Sequence, residues 1–96
     1  DGDRCEALRR TGKKVIAIDL NPLSRTAQMA DVSIIDNVVR AIPNMVEIAR
    51  EMKEFKAEKL EEVVNNYDNC TTLKMAIEAI RDYLTTKSLQ VFNSRV

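Results

Sequence analysis

Residues 15–22, Val15-Ile16-Ala17-Ile18-Asp19-Leu20-Asn21-Pro22, decide the fold class. Four apolar residues in a row, three of them β-branched, mark a short strand covered on both faces, the habit of a parallel sheet. The run ends on an acid and turn formers, where Asn21 is suited to cap a helix and Pro22 to its first position. Ser24 through Ala30 reads as that short helix. A second run, Val32-Ser33-Ile34-Ile35, ends in the same way at Asp36-Asn37. Upstream, Glu6-Ala7-Leu8-Arg9-Arg10 is a helix-forming run stopped by Thr11-Gly12, with Gly12 placed as its C-terminal cap. Helix, strand, helix, strand predicts an α/β fold with a parallel sheet and right-handed crossovers. Two strands do not make a stable sheet alone, so further strands are expected upstream of Asp1. The opening Asp1-Gly2-Asp3-Arg4 is polar and lacks Met, and it reads as the middle of a longer protein.

Residues 37–96 have a different texture. Val38, Ile42, Met45, Ala49 and Met52 recur at helical spacing, with Ile48 and Phe55 extending the stripe. Pro43 has no N–H to donate, so the helix is expected to start near Ile42, with residues 38–41 as a turn or a separate helical turn. Leu60, Val63, Val64 and Tyr67 mark a second amphipathic helix, broken by Asn65-Asn66-Tyr67-Asp68-Asn69. Leu73, Ala76, Ile77, Ile80, Tyr83 and Leu84 mark a third, capped by Asn69, Thr71 or Thr72. Thr85 to Val96 shows no clear period and is expected to fray. Residues 1–36 are therefore read as an α/β, nucleotide-binding part, and residues 37–96 as a helical part of the same domain.

Composition removes whole classes of function. The 96 residues carry 15 Lys+Arg against 15 Asp+Glu, a zero balance without the basic footprint of nucleic-acid or acidic-membrane binding. Histidine is absent, which removes His-based acid/base catalysis, Ser-His and Cys-His nucleophile pairs and most zinc sites. No apolar run approaches the roughly 18 residues of a membrane span. Cys5 and Cys70 lie far apart and form no C-x-x-C, so both are read as free thiols in a reducing cytoplasm.

In an open parallel sheet, ligands bind at the carboxyl ends of the strands. Both strand ends here are polar and alike: Asp19-Leu20-Asn21 and Asp36-Asn37, each leading into a helix whose unpaired N–H groups suit phosphate. Ser24, Arg25 and Thr26 follow the first, a guanidinium beside two hydroxyls that is suited to clamp phosphate, and Arg40 follows the second. The plainer reading makes the same Asp and Asn residues turn formers and caps. The sequence contains neither a P-loop nor G-x-G-x-x-G. The run to Asp19 is nevertheless placed like the second strand of a dinucleotide-binding, Rossmann-like unit, whose acid holds ribose hydroxyls. A fragment of an NAD-dependent dehydrogenase and a non-catalytic helical association domain are thus alternatives.

Two stretches are more particular: DLNPLSRTA at residues 19–27 and DNVVRAIPN at residues 36–44. With Asp1-Gly2-Asp3-Arg4 and Ala30-Asp31, they closely resemble the archaeal 4-phosphopantoate–β-alanine ligase (phosphopantothenate synthetase) family. The resemblance runs nearly continuously from Asp1 to about Lys53 and resumes more weakly from Thr72 to Leu84; Ser88 to Val96 matches nothing in it. It implies a homodimeric, cytoplasmic α/β enzyme that joins phosphopantoate and β-alanine at the expense of ATP, with Mg²⁺, releasing AMP and diphosphate. The product, 4′-phosphopantothenate, lies on the route to coenzyme A. Neither nucleic acid nor membrane is an expected partner. By position, the resemblance assigns nucleotide contacts to Asp19, Leu20, Asn21, Arg25, Thr26, Asn37 and Val38. Asp19 or Asp36 would hold Mg²⁺ through water or hold ribose hydroxyls. Cys5 stands where a hydroxyl residue such as Thr is expected. The family enzyme is longer at its N-terminus, so the isolated chain is expected to be inactive.

Overall fold

A computed structural model describes residues 1–93. The elements run α1 (Gly2–Arg10), β1 (Ile16–Asp19), α2 (Arg25–Met29), β2 (Val32–Ile35), α3 (Val38–Met52), α4 (Ala57–Asn66) and α5 (Asn69–Asn93). β1 and β2 pair in parallel, with Ile16 opposite Val32 and Asp19 opposite Ile35, so both strands end at the same edge. The order predicted for residues 1–36 is the order found. The asparagine turn after β1 differs from expectation. Asn21 does not cap α2; its carboxamide accepts the Leu23 N–H at 2.9 Å, and its carbonyl accepts the Ser24 N–H. Pro22 therefore sits inside a tight turn, the second place a fixed φ is welcome. Ser24 is the helix cap, accepting the Ala27 N–H at 3.0 Å.

α1 starts earlier than its apolar residues indicate, because the Asp1 carboxylate accepts the Arg4 N–H at 2.9 Å. It closes as expected, with Gly12 at φ +85°, a conformation that glycine adopts without strain. α1 also lies close to α2: a Cβ on Gly2 would stand 2.6 Å from the Arg25 Cβ, so only glycine fits there.

The core is built from small residues. Cys5, Ala17 and Ala30 are buried together, with Val15 and Met29 packed against them, and Ala27 is fully buried. No large side chain among the described residues is completely enclosed.

Two helical expectations are corrected. Pro43 lies inside α3, which begins at Val38 and not near Ile42. The Asn37 carboxamide caps the helix by accepting the Arg40 N–H, and the Asn37 carbonyl takes the Ala41 N–H. Pro43 then deprives only the Val39 carbonyl of its helical donor, and it does so on a residue that is 81% exposed, where an unpaired carbonyl costs little. α5 does not fray at Thr85. It continues to Asn93, having no Gly or Pro after Asn69 to stop it, and Thr85 bonds back to the Arg81 carbonyl in the helical manner. Residues 94–96, the last of the expected frayed tail, lie outside the described residues. Asp68, rather than Asn69, Thr71 or Thr72, caps α5: its carboxylate accepts the Cys70 N–H and the Thr71 hydroxyl.

Candidate functional site

The parallel register brings the two polar strand ends side by side. The Asp36 N–H donates to the Asp19 carbonyl at 3.2 Å, so the second acid is tied directly to the first. Asp19 organises its own loop. One carboxylate oxygen accepts the Asn21 N–H at 2.9 Å, and the other accepts the Ser24 hydroxyl at 2.6 Å. The Ser24 hydroxyl, backed by that N–H, holds the carboxyl below the usual carboxylate range. Asp36 is also held low, first by the Asn37 N–H and then by Arg40, whose Nε lies 2.8 Å from Asp36 Oδ1. Both acids are therefore ionised at neutral pH. Carboxylates have about four acceptor positions, so Asp19 keeps room for hydroxyl donors after its two internal bonds.

Around the acids stand apolar side chains open to solvent: Leu20 is 72% exposed and Val38 57%. The predicted residues Asp19, Leu20, Asn21, Asn37 and Val38 thus share one edge of the sheet. Arg25 is held differently. Its guanidinium pairs with Asp3 at 2.8 Å and lies 3.9 Å from Glu6, both on α1, so it reaches across to α1 through the gap that Gly2 leaves. Arg40, which follows the second strand as Arg25 follows the first, pairs with Asp36. Asp3 and Glu6 carried no signal beyond ordinary polar helix residues, since nothing local connects them with position 25.

A mainly apolar cleft of about 490 Å³ opens between Lys14, Val15, Ile16, Asp31 and Val32 on one side and Val63 and Val64 of α4 with the following Tyr67 on the other. It lies at the amino ends of the strands, away from Asp19 and Asp36. Among the described residues no group of three or more His, Cys, Asp or Glu is gathered to cage a metal. Both cysteines are free thiols, Cys5 buried and Cys70 exposed, as expected. No helix among the described residues is long and apolar enough to cross a membrane.

A family model described as phosphopantothenate/pantothenate synthetase matches residues 1–83, which include every residue of the strand-end site. The chain belongs to that family. Synthetase relatives include proteins named 4-phosphopantoate–β-alanine ligase. The one from Thermococcus kodakarensis is 59% identical over 85 residues, and the one from Thermococcus onnurineus 58% over the same length; each match covers 88% of this chain and 33% of the relative. The protein of that name from Methanosarcina mazei is 50% identical over 90 residues, covering 94% of this chain and 36% of its own. The chain thus spans about a third of the length of the curated relatives it matches. Membership of the synthetase family replaces the dehydrogenase-fragment and association-domain alternatives.

Proposed function

We propose that the protein carrying this chain is an ATP-dependent 4-phosphopantoate–β-alanine ligase, and that residues 1–40 supply part of its ATP site. Asp19 accepts the ribose hydroxyls. Leu20, Asn21, Asn37 and Val38 border the base and sugar. Arg25 and Thr26 meet the phosphates. Arg25 can exchange its partners at little cost, because its ion pairs with Asp3 and Glu6 are exposed and such pairs are weak.

The reaction suits a chain without histidine. The phosphopantoate carboxylate attacks the α-phosphorus of ATP and diphosphate leaves. The amine of β-alanine then attacks the acyl carbonyl, AMP leaves with its phosphate oxygen, and the amine gives up a proton. Such a sequence needs alignment and charge neutralisation rather than a protein nucleophile. With Asp19 on the ribose, Asp36 is the acid left to hold, through water, Mg²⁺ carried in by the nucleotide phosphates, the usual mode for this ion. In the same reading the protein is cytoplasmic and homodimeric, with small molecules as its only substrates.

The observation that supports this reading is the bond from the Asp36 N–H to the Asp19 carbonyl, which brings both polar strand ends side by side within the segment that matches the synthetase family. The test is AMP release by the full-length protein given ATP, phosphopantoate and β-alanine. Release should require both acceptor substrates. Asp19→Asn should lower kcat/KM for ATP by roughly a hundredfold, from a weakened ribose contact and a loosened Ser24 loop. AMP release without phosphopantoate, or wild-type ATP use by Asp19→Asn, would overturn the reading.

A further inference from the structure

We propose that Asn69, at the start of α5, is a positioning residue for the nucleotide contacts on α2; the inference rests on the ligase reading. α2 has five residues, too few to persist as a helix by itself. It is held from outside at two points, with Arg25 and Thr26 between them.

The front anchor is Ser24, bonded to Asp19 and to the Ala27 N–H. The rear anchor is the Ala27 carbonyl, one of the last carbonyls of the helix, which have no partner within it. The Ser33 hydroxyl donates to it, and Asn69 Nδ2 lies 3.4 Å away. Asn69 Nδ2 is also 3.3 Å from the Ala30 carbonyl and 3.0 Å from Ser33 Oγ. Its Oδ1 accepts the Ser33 N–H at 2.8 Å and the Tyr67 hydroxyl. A backbone N–H can only donate, so the carboxamide has one orientation, with its donors facing α2. A polar line therefore runs from Asp19 through Ser24, both polar groups of fully buried Ala27, and Ser33 to Asn69. A shift at Asn69 moves the far end of the segment carrying Arg25 and Thr26, while Asp19 stays with β1.

Asn69→Asp in the full-length protein keeps side-chain volume and the acceptor for the Ser33 N–H. It places an oxygen against the carbonyls of Ala27 and Ala30. ATP binding, measured by equilibrium titration, should weaken roughly tenfold, and KM for ATP should rise by a similar factor, while kcat at saturating ATP changes by no more than about threefold. Ser33→Ala should shift ATP binding in the same direction by less. A purely structural strut would lower kcat with the folded fraction and leave the ATP constants unchanged; that result overturns the proposal. If Asn69→Asp does not fold, Ser33→Ala decides, and wild-type ATP binding there, or failure of both variants to fold, also overturns it. Weakened ATP binding in a protein that makes no AMP from the two substrates would sink the ligase reading and leave the role of Asn69 standing.

Discussion

Residues 1–36 and the helices from Val38 onward use their side chains in opposite ways. In the first region, small residues let elements pack closely, as at Gly2, where a Cβ would stand 2.6 Å from the Arg25 Cβ. Gly2, Cys5, Ala17, Pro22, Ala27, Ala30 and Ser33 are all buried, and the strand-end acids are tied by side-chain and backbone bonds. In the second, Ala41 alone is buried among the described residues, and large apolar side chains face solvent along α3, α4 and α5. Hydrogen bonds with fixed geometry hold groups within tenths of an ångström, which suits ligand alignment. Broad apolar faces hold nothing until another surface covers them. We propose that the nucleotide chemistry draws mainly on the first region, with Asn37, Val38 and Asn69 at its border, and that protein contacts lie on the apolar faces of the second.

Arg25 gives the sharpest way to break that division, because it is the one cation in the site region with partners on α1 instead of at the sheet edge. Arg25→Ala in the full-length protein should lower kcat/KM for ATP between tenfold and a hundredfold, about 1.5–3 kcal/mol for one charge-assisted phosphate contact. Steady-state kinetics with ATP varied would measure it. An Arg25→Ala enzyme with unchanged kcat and KM would show that the Asp3–Arg25 pair only joins α1 to α2.

The same contrast explains what is legible in the sequence. β-Branched runs ending on acids are local signals, and they located both strands, their parallel order and the acids. The Asn21-Pro22 turn is ambiguous in the sequence because Asn and Pro fit a helix start and a tight turn equally well, and only the Asp19–Ser24 bond selects Ser24 as the cap. The early start of α3 was hidden by Pro43, whose effect depends on how exposed the Val39 carbonyl is. In the sequence Asn69 reads as a local cap, since no periodicity reports that a carboxamide will bond to a strand 36 residues earlier. Helical stripes said correctly that apolar faces exist; they do not say what covers them.

That open question leads to the second prediction. The full-length protein should be a dimer whose contact includes α5. Leu84 is 59% exposed, so a charge there disturbs little within this chain. Burying a leucine side chain contributes about 1.5–3 kcal/mol, so Leu84→Glu should weaken self-association by more than tenfold. Light scattering over a concentration series reads the outcome. A folded monomer at concentrations where the wild type is dimeric supports the assignment. A dimer of unchanged strength, or an unfolded chain, places α5 inside a single protomer and erases the contrast drawn above.

The smallest effect is expected at Asp68, where the two regions join. Its carboxylate is held below the usual range, chiefly by the Thr71 hydroxyl, with backbone N–H groups of Cys70 and Thr71 adding to it. A carboxyl whose pKa falls on folding stabilises the folded state above its ordinary value and loses that contribution as pH drops through the folded value. Asp68→Ala should therefore lower the melting temperature by a few degrees at neutral pH, as losing a helix cap does. Below about pH 4 the gap from wild type should narrow, because protonation removes the same bonds in the parent. Asp19 and Asp36 titrate in the same window in both proteins, so the difference between the two melting curves isolates Asp68. A gap that stays constant from pH 7 to the acid limit would mean that the cap acts through shape and not charge, and that α5 is joined to β2 by Asn69 without help from its neighbour.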